Sequence, residues 1–157
     1  MSYQKLEQHQ QQLHRLSHLS AICGWDQAAM MPEGGNEARA EAMAELGVLI
    51  HGKRTAPELG EWIAKAESEP LDEHQRANLR EIKRQWQDAS LLPGALVEAL
   101  SLAGSKCEHA WRRQRKENDW AGFAPNLEEV VRLSREVARL RADALGVRPY
   151  DAMLALY

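Results

Sequence analysis

The sequence predicts an all-α protein, an antiparallel bundle of about six helices, and three observations carry that expectation. Alanine and leucine, at 23 and 20 of 157 residues, far outnumber the 11 valine, isoleucine and threonine residues together. The first two lose little on entering a helix, whereas strands favour β-branched and aromatic side chains, and the chain has a single Phe. Apolar residues recur at helical intervals, and proline, glycine and capping residues fall where those stripes break.

Each element has its own signal. Leu6, Leu13 and Leu16 share one face of a helix from about Tyr3 to Ser17. It runs on into the apolar stretch from Leu19 to Met31, which has apolar residues on several sides and is expected inside the bundle. Pro32 and Gly34-Gly35 stop it. A second helix opens near Asn36, carries Met43, Leu46, Leu49 and Ile50, and is expected to end at Gly52. Thr55-Ala56-Pro57-Glu58 has capping-box spacing and precedes Leu59, Trp62, Ile63 and Ala66. Asp72-Glu73-His74-Gln75 repeats the start signal before Leu79, Ile82 and Trp86. Pro93 opens a fifth helix with Leu96, Leu100, Cys107 and Trp111 as its stripe. Asn126-Leu127-Glu128-Glu129 is expected to open a sixth, with Val130, Val137 and Ala144 inward and Gly146 as the stop. Beyond it, Arg148 to Tyr157 begins another apolar helix, as though a longer polypeptide continued.

Composition bounds the function. At 44% hydrophobic and 27% charged the chain is an ordinary globular domain, neither disordered nor fibrous. A net charge of −3 argues against a dedicated nucleic-acid binder. Two cysteines make no disulfide framework, the polar N-terminus has no signal core, and no apolar run is long enough to span a membrane. The expected place of work is the cytoplasm, with both thiols reduced.

Local chemistry is sparse. His14 and His18 stand one helical turn apart, a spacing that suits metal ligands, but Arg15 occupies the position where a zinc-protease helix needs its glutamate base. Solvent exposure accounts for both. Cys107, Glu108 and His109 are adjacent, and adjacent helical residues diverge by about 100°. Trp111-Arg112-Arg113-Gln114-Arg115-Lys116 mixes an aromatic ring with cations, yet cations also suit a helix C-terminus, and Glu117 and Asp119 follow. Gly34-Gly35 lacks the further glycines of a phosphate loop, and no Ser/His/Asp spacing singles out a triad. Asp26 stands out, because a carboxylate in an apolar helical run needs a partner. Arg39, across the turn, is a natural candidate, free backbone N–H groups at the turn are another, and a catalytic carboxylate is the functional alternative.

The stretch Trp25-Asp26-Gln27-Ala28-Ala29-Met30-Met31-Pro32-Glu33-Gly34-Gly35, with Arg39 after it, resembles the N-terminal signature of the carboxypeptidase Taq family of metal-dependent carboxypeptidases. Trp111, the segment from Asp119 to Leu127, and Arg148-Pro149-Tyr150-Asp151 are similar to that family's order as well. The resemblance implies a much longer all-helical enzyme, often homodimeric, that removes residues from peptide C-termini. Its zinc or cobalt ion would be held by a His-Glu-x-x-His helix and a later glutamate. None of the six histidines here precedes a glutamate, so no catalytic or metal-binding residue carries over. What carries over is a structural role for Trp25, Asp26, Met31, Pro32, Gly35 and Arg39. The chain would then be one helical domain, residues 1–157, forming a wall or lid of the substrate groove and inactive alone. Its partners would be peptides, the metal-binding remainder of the same chain and a second copy, not nucleic acid or membrane. The alternative is a self-standing interaction module that receives a partner helix in an apolar groove.

Overall fold

The computed structural model describes residues 1–154, save the side chain of Glu33. Among them are seven α-helices, one short 3-10 turn and no strand: α1 Ser2–Ala29, the turn Glu33–Gly35, α2 Asn36–Arg54, α3 Glu58–Ala66, α4 Glu73–Ser90, α5 Gly94–Glu117, α6 Trp120–Leu145 and α7 Pro149–Leu154. The seventh helix is the one begun at Arg148; Ala155, Leu156 and Tyr157, which complete that apolar stretch, lie outside the described residues.

Two apolar clusters organise the packing. Tyr3 and Leu6 of α1 meet Leu59, Ile63 and Ala66 of α3 and Leu79 of α4, with Trp62, Ile82 and Trp86 at the margin. Leu96 of α5 meets Leu133 and Val137 of α6, and Met153 of α7 packs against them. Helix α2 joins the two, since it packs against α1 and α4 and also against α5. No described helix is long and apolar enough to cross a membrane.

Several boundaries follow the sequence signals. Asp72 accepts from the Gln75 backbone N–H while Gln75 accepts from that of Asp72, a complete capping box at the start of α4. Gly146 closes α6 at φ 66°, a left-handed conformation that costs a residue without Cβ little.

Others do not. Thr55 does not cap the start of α3; it is the C-cap of α2, where its hydroxyl and its N–H both donate to the His51 carbonyl, and α2 runs through Gly52 to Arg54. Helix α6 begins at Trp120 rather than Asn126, because Asp119 Oδ1 accepts the Gly122 N–H at 2.8 Å, leaving Pro125 inside the helix near its start. Trp111 and Ala144, expected inward, are exposed. The largest departure is the apolar stretch that ends α1, where Leu19, Ile22 and Trp25, and Met30 just past the helix, face solvent instead of the bundle interior.

Candidate functional site

The six residues singled out in the sequence meet at the corner between α1 and α2. The Asp26 carbonyl accepts from both Met30 and Met31 N–H, at 2.9 and 2.8 Å, and so ends α1. Pro32 is extended, and Gly35 N–H returns to its carbonyl at 2.9 Å. A Cβ on Gly35 would sit 3.2 Å from Met31 Cγ, so the turn leaves little room for a side chain there. From α2, Arg39 Nη2 lies 2.6 Å from Asp26 Oδ2, while Nη1 donates to the Cys23 carbonyl at 3.0 Å. Asp26 is therefore paired but only half-buried, and Trp25 beside it is exposed. The corner braces a chain reversal and presents no reacting group.

Behind it, α5 is tied in by polar bonds. Gln27 is buried and donates to Ser105 Oγ at 2.9 Å, and its carbonyl accepts from Arg112 Nη1, also at 2.9 Å. Arg112 Nη2 reaches Glu108 at 2.8 Å. An open cavity of about 400 Å³ lies alongside, lined by Met31, His109, Arg112, Arg113, Lys116 and Glu117. A smaller one of about 160 Å³, between the ends of α5 and α6, has the Trp120 and Phe123 rings 5.8 Å apart and the buried Gln114 in its wall.

The remaining candidates do not converge. His14 and His18 are exposed on α1. Cys107 is buried and burial pushes its thiol above the ordinary range, whereas Glu108 turns to Arg112. Of the basic run, Arg112 is bonded as above and Arg113 lies 4.0 Å from Glu117. Among the described residues no three His, Cys, Asp or Glu side chains are gathered as a metal site, so these residues do not fit the divalent ion that the resemblance implies.

Three ties were not foreseen. Glu69 accepts from the Ser2 and Tyr3 N–H groups, capping α1 from the loop after α3. Arg141 of α6 is buried and paired with Asp88 of α4. Gln27 faces inward from a largely apolar run; the small residues Ser20 and Gly24, on the same side of α1, were its available signal.

Residues 5–157 match the family described as carboxypeptidase Taq (M32) metallopeptidase. The chain is 36% identical over 167 aligned positions to thermostable carboxypeptidase 1 of Thermus thermophilus, with 99% of this chain and 33% of that protein covered. The solved structure of Trypanosoma cruzi metallocarboxypeptidase 1 is 40% identical and superposes with a TM-score of 0.79, covering 99% of this chain and 32% of that one. The crystal structure of BsuCP, at 23% identity, shares the fold at a TM-score of 0.90, over 99% of this chain and 31% of its own. The chain thus spans about a third of the length of the relatives it matches. These relatives favour the carboxypeptidase reading over a self-standing interaction module. By its sequence from residue 5 onward and by its helical fold, the chain belongs to the carboxypeptidase Taq (M32) family of metallopeptidases.

Proposed function

We propose that this chain is the N-terminal helical region, a groove wall or lid, of a metallocarboxypeptidase that releases C-terminal amino acids from peptides. The observation that carries the reading is the family match over residues 5–157 by a chain spanning a third of its relatives. On this reading residues 1–157 form one helical domain, and the catalytic groups with their zinc or cobalt ion belong to the remainder of the enzyme. A wall or lid needs stiffness rather than reactivity. The Arg39 brace across the α1–α2 corner supports that role for Trp25, Asp26, Met31, Pro32, Gly35 and Arg39. The partners are peptide substrates, the rest of the same chain and a second copy in a homodimer, with no nucleic acid or membrane, and the enzyme works in the cytoplasm.

The test compares the 157-residue chain with the full-length enzyme in an assay of C-terminal residue release, with metal analysis of both. The chain alone is expected to release nothing and to hold no stoichiometric zinc. The full-length protein is expected to release residues, to lose activity to a chelator and to regain it with zinc or cobalt. Turnover by the purified chain alone, or one tightly held zinc per chain, would overturn the reading.

A further inference from the structure

The second half of α1 is inside out. Ser20, Gly24 and Gln27 face inward, and Gln27 is bonded to Ser105 of α5. Leu19, Ile22 and Trp25 form the opposite stripe and are 53%, 48% and 63% exposed; Met30, just past the helix end, is 68% exposed. Ile22 and Gln27 are five residues apart, which at 3.6 residues per turn places them about 140° apart on the helix. The first half has the ordinary polarity, with Leu6 and Leu13 buried. The outward side also carries the exposed His18 and the half-buried Asp26, so it is an apolar stripe with a polar margin, the composition of a contact surface.

Resting on the reading above, we infer that the outward stripe of Leu19, Ile22 and Trp25 is the seat of the remaining part of the carboxypeptidase chain. The length of the relatives argues for this occupant. All but 1% of this chain superposes on some 32% of the Trypanosoma cruzi enzyme, so most of that fold lies outside these helices and must abut one of their faces. The Asp26–Arg39 pair borders the stripe, and its bond to the Cys23 carbonyl fixes the last turn of α1, so the seat is rigid before it is occupied.

Thiol labelling of the full-length enzyme in a Cys23→Ser background tests the inference. One cysteine at a time is introduced at Ile22→Cys, at Leu19→Cys, and at Gln11→Cys on the exposed side of the first half as a control, with modification read by peptide mass so that the native, buried Cys107 is counted separately. Without any peptide present, positions 19 and 22 are expected to react about a hundredfold more slowly than position 11, since reaction there waits on local opening. Equal rates would overturn the inference, because the stripe would be free. Protection that appears only when a peptide is bound would overturn it too, because the stripe would then line the substrate groove. Peptidase activity is measured on the same samples. Active enzyme with fast labelling at 19 and 22 sinks this inference and leaves the proposed function standing, whereas protected but inactive enzyme does the reverse.

Discussion

Arg39 does two jobs with one guanidinium, pairing with Asp26 through Nη2 and bonding the Cys23 carbonyl through Nη1. The two jobs separate by mutation. The Asp26 and Arg39 side chains are 35% and 28% exposed, so water screens the ion pair, and Asp26→Asn is expected to cost only about 0.5–1 kcal/mol. Arg39→Ala also removes the second donor to the Cys23 carbonyl, which keeps only its helical bond, and is expected to cost about 1–2 kcal/mol. Urea unfolding of both variants against the parent chain measures the difference; equal losses would mean that the carbonyl bond contributes nothing. The need for a partner was legible at Asp26, because a lone carboxylate in an apolar run demands one. That the pair would sit near the surface was not legible, since the same run turned out to face solvent.

Helix α1 begins without a cap of its own: Met1 makes no side-chain bond to it, and no acidic residue lies in its first turn. Glu69 replaces the local cap by accepting from Ser2 and Tyr3 N–H. Those bonds, the Ser2 N–H first, hold the Glu69 carboxyl below its ordinary range against the smaller opposing effect of desolvation. A depressed carboxylate favours the fold above its unfolded pKa, and that contribution disappears as the pH falls through the folded value. The start of α1 is therefore expected to hold at neutral pH and fray below about pH 4, where free glutamate protonates. In Glu69→Gln the fraying should no longer depend on pH in that window. Amide chemical shifts of Ser2, Tyr3 and Leu6 followed from pH 7 to pH 2 check both expectations. Caps between near neighbours, such as Asp72 with Gln75, could be read from spacing. A cap supplied from 67 residues away could not.

At the scale of the molecule, the two apolar clusters share no residue among the described ones, and α2 packs against helices of both. Leu6 is fully buried in the first and Leu133 is 3% exposed in the second. Leu6→Ala and Leu133→Ala should each cost about 2–5 kcal/mol, the range for a leucine removed from a packed core. Because their clusters are separate, the double variant is expected to lose the sum within about 0.5 kcal/mol. Denaturant melts of the two single variants and the double variant decide this, and a clear departure from the sum would mean that the clusters are coupled, through α2 or through the Asp88–Arg141 and Gln27–Ser105 ties. The sequence by itself determined the helical class, most helix positions, the α4 capping box, the Gly146 stop and the family signature around Trp25 to Arg39. Those features rest on local propensity, on backbone geometry and on residues a few positions apart, and all are present in the linear order. Only the tertiary structure decided that α1 turns over halfway along, that Gln27 and Arg141 are buried and that Glu69 closes the far end of α1. An apolar stripe marks that a face will be covered, but the direction it points depends on which helices pack against the rest of the turn. That packing is fixed by contacts between residues far apart in the chain.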